Sequence, residues 1–195
     1  MNPAAAVSLL GLWLTLQAMP CIGATPEWAL PQLMAELGEV RSSAASFVEL
    51  RYRNLLTEPL QSSGKLFYVA PDKLQKDTLE PWPGRFLVDG DRLTIEQNDQ
   101  APRVISLRQQ PEIASFVESI RATMAGDLGT LTRFHAVSLQ GTRENWALLL
   151  EPRDSRMREW VAEIRIAGQG SVIRSINTRE RGGDRTLMSI TPAAW

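Results

Sequence analysis

Between Ser63 and Asp91 the chain reads SGKLFYVAPDKLQKDTLEPWPGRFLVDGD, and few folds accept such a stretch. Leu66 to Val69 and Phe86 to Val88 are apolar strand candidates on either side of a segment that alternates less cleanly. Pro71 closes the first of them, because proline cannot donate to a sheet ladder. Pro81 and Pro83 break the chain again before Phe86. Asp89-Gly90-Asp91 then signals a hairpin turn, since glycine accepts the positive φ that such turns require. In the first strand Leu66, Tyr68 and Ala70 face one way, and Lys65, Phe67 and Val69 the other. Both sides are largely apolar, which predicts a strand covered on both faces. The simplest architecture is an antiparallel sheet with something packed into its hollow.

The flanking sequence extends this pattern. Between Pro26 and Ala45, Leu30, Leu33, Met34, Leu37 and Val40 recur at helical spacing, with Gly38 as a weak point. Ser46 to Arg53 alternates as a half-buried strand, with Val48, Leu50 and Tyr52 on one side and Glu49, Arg51 and Arg53 on the other. Arg92 to Glu96 and Arg103 to Arg108 read as strands separated by a turn over residues 98–102. Pro111 opens a helix at its favoured first position. Its apolar stripe is Ile113, Phe116, Val117, Ile120 and Met124, its stop is Gly126 or Gly129, and a short helical turn follows at Leu128 to Phe134. The final third predicts five strands: Ala136–Leu139, Trp146–Leu150, Val161–Ile166, Ile173–Thr178 and Arg185–Ile190. Gly141-Thr142, Gly168-Gln169-Gly170 and Gly182-Gly183-Asp184 supply their turns.

The order of these signals resembles the LolA lipoprotein-carrier family. The matching residues are Gly64, Leu66, Tyr68 and Pro71, then Leu87, Val88, Asp89 and Gly90. The helix and strand over Leu37 to Leu50, the run Leu148-Leu149-Leu150-Glu151-Pro152, and the late set Ile173, Ile176, Asp184, Thr186 and Ile190 extend the likeness over nearly the whole mature chain. The resemblance implies an α+β fold, an incomplete, strongly curved antiparallel β-barrel with an α-helical lid. It also implies a periplasmic location and acyl chains carried in the hollow.

Composition narrows the alternatives. At 195 residues and 44% hydrophobic, the chain can bury one core of ordinary size. A net charge of −1 argues against a nucleic-acid binder, which should carry a basic excess. Arginine supplies most of the positive charge, spread along the strands, and reads as a solvated outer sheet face. Val7 to Ala18 is too short an apolar run for a comfortable membrane span. With Ile22-Gly23-Ala24 before polar Thr25-Pro26-Glu27, residues 1–24 read as a cleaved signal peptide, leaving a carrier domain over residues 25–195. An uncleaved anchor is the rival, since the usual basic start is missing. Cys21 suggests a lipobox, but Met19-Pro20 matches one poorly, and cleavage after Ala24 leaves no cysteine for disulfides or thiol chemistry.

Catalytic chemistry finds little support. His135 is the only histidine, no G-x-S-x-G elbow accompanies it, and a zinc site would need more ligands. Gly168-Gln169-Gly170 begins like a dinucleotide fingerprint, but Ile173 stands where the third glycine belongs. Asp154 and Glu159 would point to different faces of any helix there. The reading is therefore not an enzyme, with no metal and no cofactor. The two helical stripes fit either a plain core or the lining of a cavity.

The expected function is a periplasmic carrier, a chaperone that takes acyl chains of a lipid or lipoprotein into a hydrophobic cavity and ferries them towards the outer membrane. Candidate lining residues are Leu33, Leu37, Leu66, Tyr68, Leu74, Phe86, Val88, Ile113, Phe116 and Ile120. Expected partners are the acyl chains themselves, an inner-membrane exporter and an outer-membrane acceptor; the protein is expected to be a monomer and to bind no nucleic acid. The alternative is a lipid-sensing domain like the periplasmic regulator RseB, controlling a protein partner. A second tethered domain would favour it, whereas this chain ends at Trp195, soon after its last strand.

Departures from the family pattern sharpen the cargo. Where typical carriers have an arginine before the strand-ending proline, this chain has Ala70; Leu74 replaces an aromatic residue and Lys76 a tryptophan. Alanine offers no forked hydrogen bonds to lid carbonyls, so the lid is expected to be held mostly by apolar contact and to open at lower cost. The chain after Ile190 also lacks the extension of typical carriers. A specialised cargo is implied, a lipid or lipid-linked product such as those of aryl-polyene export systems.

Overall fold

A computed structural model describes residues 28–97 and 100–193. The segment read from the sequence as a signal peptide, with Cys21, and Asn98 and Asp99 of the sequence-read turn lie outside the described residues. The helices are α1 (Leu30–Gly38), α2 (Pro111–Met124), α3 (Leu128–Phe134) and α4 (Ser155–Trp160). The strands are β1 (Ser42–Tyr52), β2 (Leu60–Val69), β3 (Lys73–Glu80), β4 (Gly84–Asp89), β5 (Arg92–Gln97), β6 (Arg103–Ser106), β7 (His135–Thr142), β8 (Asn145–Pro152), β9 (Val161–Gln169), β10 (Val172–Glu180) and β11 (Arg185–Pro192). A 3-10 turn at Leu107–Gln109 leads into α2.

All eleven strands form one antiparallel sheet in the order β6-β5-β4-β3-β2-β1-β11-β10-β9-β8-β7. Two meanders, β1–β6 and β7–β11, are joined side by side where β1 pairs with β11. The sheet is unclosed, with β6 and β7 at its edges.

Directly paired residues share a face, so the register traces one face across the whole sheet. That face carries Leu148, Ile166, Ile176, Met188, Glu49, Ser62 and, one pair further along β1 and β2, Phe47 and Gly64. It holds two apolar clusters. One gathers Leu148, Leu150, Ile164 and Ile166 beneath Leu33, Met34 and Leu37 of α1. The other gathers Val88, Leu93 and Leu107. Helix α2 reaches both, with Ile113 packed on the second cluster and Ile120 on the first. These two residues are separated by roughly 10 Å along a helix. Six strand spacings separate β4 from β9, roughly 29 Å in a flat sheet. The sheet must therefore curl its two wings around α2, and the result is the expected incomplete barrel with a helical lid.

Three sequence expectations change. Helix α1 stops at Gly38, and the residues expected to continue it towards Ala45 enter β1, which begins at Ser42 between β2 and β11. The uneven segment between the two apolar runs is itself a strand, β3. The strand at Leu66 is covered on one face only: Lys65, Phe67 and Val69 point outwards and are exposed, because the helices all pack on the other face.

Helix α2 buries more than its apolar stripe. Ser115, Ser119 and Thr123 are also buried, one turn apart, a feature the apolar pattern did not announce. The Ser119 and Thr123 hydroxyls donate to the carbonyls of Ser115 and Ser119 at 2.8 and 2.7 Å, so burial leaves these two satisfied, whereas the Ser115 hydroxyl has no partner among the described residues. Just past the end of the helix stands Gly126, with φ +67°, where an added Cβ would run into the Met34 carbonyl and the backbone of Gly38. That close approach seats the end of α2 against α1. Asp154 serves α4 as its N-cap, accepting from the Arg156 and Met157 amides.

Candidate ligand-binding site

Between the two clusters, the inward face of β1, β2 and β3 forms the floor of the trough. Alternation along β1 places Phe47, Glu49 and Arg51 inside and turns Val48 out to solvent, so the buried half of this strand is not its Val48–Leu50–Tyr52 side. Cross-strand charge pairing explains why the side that carries Glu49 and Arg51 faces inwards. Glu49 is 3% exposed, and each of its carboxylate oxygens is occupied. Oε1 accepts from Arg51, with Nε and Nη2 both at 2.6 Å, and Oε2 accepts from Lys76 Nζ at 2.6 Å. Lys76 also lies 4.8 Å from the centre of the Phe47 ring. The arginines are therefore not all on the outer face.

Burial works to raise the Glu49 pKa, but the Lys76 and Arg51 charges outweigh it and hold the carboxyl below its ordinary value. Burial pushes Lys76 down, against the attraction of Glu49 and with the help of Arg51. Next to this group, Gly64 lets the strands close up: a Cβ there would strike the Asp77 carbonyl and touch the Phe47 ring.

Towards one end of the sheet the trough opens into a cavity of about 370 Å³. Its walls are Leu60, Pro81, Trp82, Pro83, Gly84 and Phe86, with Gln61, Ser62, Thr78, Gln97 and Gln100; Arg51 is its one charged lining residue among the described residues. The β1–β2 and β3–β4 connections and α4 all lie at this end, because alternate turns of an antiparallel meander fall together. Leu55, Leu56, Leu60 and Trp160 are exposed there, as is Trp82 at 72%. A larger groove of about 780 Å³ at the same end is lined chiefly by charged groups, including Arg153, Arg158, Arg179, Arg181, Glu151 and Glu180.

The ten candidate lining residues fall into distinct places. Leu33 and Leu37 lie in the cluster under α1, and Ile120 packs against it. Val88 belongs to the second cluster, against which Leu74, Phe86 and Ile113 pack. Phe86 also lines the cavity. Leu66 and Tyr68 stand on the trough floor, Tyr68 buried with its hydroxyl unpartnered among the described residues and its pKa raised by burial. Phe116 is 37% exposed on α2. Glu49, Arg51, Lys76 and Trp82 are absent from the sequence-read set, and the charged three come together only through the β1–β2–β3 register.

The lid has a polar tie that Ala70 does not supply. Arg121 of α2 donates from Nη1 to the Gly90 carbonyl in the β4–β5 turn at 2.8 Å, while Glu118 pairs with the same guanidinium. The apolar-contact expectation is corrected to this extent: the guanidinium sits on the helix and its acceptor on the sheet. Replacing Arg121 with methionine is expected to cost about 1.5 kcal/mol, the scale of a hydrogen bond to a charged group. Native-state hydrogen exchange should then quicken in α2 more than in β1 and β2.

His135, at the start of β7, is 0% exposed, with Nε2 at 3.3 Å from Ser119 Oγ and Nδ1 without a partner. Ser119 already donates to a carbonyl, no carboxylate among the described residues orients the ring, and neither side chain lines the cavities described above. This histidine is a core residue. Among the described residues there is no cluster of metal-ligating side chains, and no helix is long and apolar enough to cross a membrane.

A search of curated proteins found no match. Among solved structures, the chain is similar to a LolA superfamily protein from Nitrosomonas europaea, at 10% identity over 84% of this chain and 91% of that one, with a TM-score of 0.46. It is similar to a DUF1329 family protein from Desulfovibrio piger, at 12% identity over 83% and 88%, with a TM-score of 0.47. It is also similar to MucB in the MucA/MucB complex from Pseudomonas aeruginosa, at 12% identity over 83% and 55%, with a TM-score of 0.44. The sequence profile described as outer membrane lipoprotein carrier protein LolA-like matches residues 24–194. With nearly the whole sequence inside that match, the chain belongs to the LolA-like outer membrane lipoprotein carrier family.

Proposed function

We propose that this protein is a periplasmic carrier that shelters acyl chains on the inward face of its sheet, beneath α2, and performs no covalent chemistry. The observation that carries this reading is the cavity at the open end of the trough, walled by Leu60, Trp82 and Phe86 and ringed by exposed apolar side chains. Such a rim suits contact with the membrane or protein that yields the chain and the one that accepts it. An inner-membrane exporter and an outer-membrane acceptor fit those roles, with a lipid or lipid-linked product as cargo. Each methylene moved out of water contributes about 0.8 kcal/mol, so one long chain offsets the loosening of the lid.

Leu66 faces the trough two inward positions beyond Ser62 of the cavity wall on β2, so a charge there should block a chain that extends along the floor. Leu66→Asp is expected to weaken displacement of a bound fluorescent fatty acid at least tenfold while thermal melting still shows a folded protein. Unchanged binding in a folded variant would remove the floor of the trough from the site. Mass spectrometry of lipids that co-purify with the wild-type protein identifies the cargo directly.

A further inference from the structure

We infer that the cavity selects single-chain amphiphiles ending in an anionic head, and that Arg51 is the group that receives the head. This rests on the carrier reading and adds the chemistry of the ligand. Two cations, Arg51 and Lys76, share the one carboxylate of Glu49. The inward positions of the flanking strands β2, β3 and β11 carry no second acid, so the cluster holds one positive charge in excess. Lys76 lies over the Phe47 ring and pairs with Phe86, so the buried end of the cluster is poorly hydrated, and an anion arriving at Arg51 with an apolar tail relieves the excess.

Arg51 is placed to make that contact. Its side chain is 43% exposed and lines the cavity, whereas Glu49 behind it is sealed. Its Nε and Nη2 are engaged by Glu49, which leaves the Nη1 hydrogens of the guanidinium fork for a carboxylate or phosphate oxygen. Leu60, Trp82 and Phe86 give the wall its apolar part, and Ser62, Thr78 and the side-chain amides of Gln61, Gln97 and Gln100 are neutral donors in the same lining for a second oxygen. The volume of about 370 Å³ lies at the low end of small-ligand pockets, which run from ~300 to 1,000 Å³, and fits one chain better than several.

The test is a displacement titration of the full chain with four ligands of equal chain length: palmitate, hexadecyl phosphate, methyl palmitate and hexadecyltrimethylammonium, all below their micelle concentrations. Palmitate and hexadecyl phosphate should bind at least tenfold more tightly than methyl palmitate, and the cation least well. The ratio of the two anions tells a carboxylate head from a phosphate head. In Arg51→Gln the preference for anions should fall below threefold, with methyl palmitate unaffected, and Arg51→Lys should restore part of it. Because Arg51 is half exposed, a melting curve close to wild type is expected for both variants. Lys76→Met removes the same excess charge without touching the cavity wall and should give the same loss. Equal affinity for anion and ester in the wild type overturns the inference. So does a preference that survives Arg51→Gln, which would move the anion to the arginine-lined groove. If methyl palmitate and palmitate both fail to bind, the carrier reading itself falls.

Discussion

Glu49→Ala is expected to destabilise the protein by about 3 kcal/mol in denaturant titration at pH 7. The loss is not that of one ion pair. It leaves Lys76 and Arg51 as neighbouring cations on the trough floor with no carboxylate between them. The cost falls at the low end of the range for broken buried pairs because Lys76 and Arg51 keep some access to water. The double variant Glu49→Leu, Lys76→Met should return to within about 1 kcal/mol of the wild type, since apolar groups of similar volume replace a buried pair at little cost. A double variant as unstable as Glu49→Ala would show that the site needs the charges themselves for the fold.

The second large effect is a pH dependence carried by His135. Burial holds the imidazole neutral and pushes its pKa down from 6.5 to about 4, against a weaker pull from the Leu131 carbonyl. The unfolded chain takes up a proton near pH 6.5 that the folded chain refuses until about pH 4. The stability that depends on the neutral ring is therefore complete above pH 6.5 and is lost progressively as pH falls to about 4. At about 1.4 kcal/mol per pH unit, the gap comes to about 3 kcal/mol. His135→Gln keeps a donor for Ser119 and cannot titrate. The wild type should lose about 3 kcal/mol more than this variant between pH 6.5 and pH 4, and parallel curves would show that the ring is charged in the folded protein. Carboxylates titrate in the lower part of the same window, but they do so in both proteins and drop out of the difference.

Local chemistry made most of the elements legible. Pro111 stands at the head of α2, the short helix at Leu128–Phe134 keeps its bounds, and Gly168-Gln169-Gly170 turns between β9 and β10 as a hairpin. What the sequence withheld was which face of a strand is inside. Along β1 the alternation separates Phe47, Glu49 and Arg51 from Val48, Leu50 and Tyr52, but either set could face the core until the pairing with Lys76 is known. That pairing spans two hairpins and is a property of register, not of local pattern. The hydroxyl stripe of α2 was hidden for another reason. Serine and threonine count as polar by type, yet a hydroxyl bonded back to its own helix is nearly apolar towards its surroundings. The same limits apply to the candidate site: Leu66, Tyr68 and Phe86 could be read from the strands, but the charges among them could not.

The seam between β1 and β11 bears on how such a chain reaches its final form. Ser46 and Thr191 touch there across 145 positions of sequence, whereas every other strand pair of the described residues joins chain neighbours. Each meander is rich in short-range contacts and can assemble early, but the seam must wait for a long loop to close, the slow kind of contact in folding kinetics. A chain emerging from its N-terminus presents β1 with one edge unpaired until Arg185–Pro192 has followed. An open strand edge is a template for other chains. The interval before the last strand docks is thus the period of greatest aggregation hazard, and whatever shields the edge of β1 during it governs the yield of folded protein.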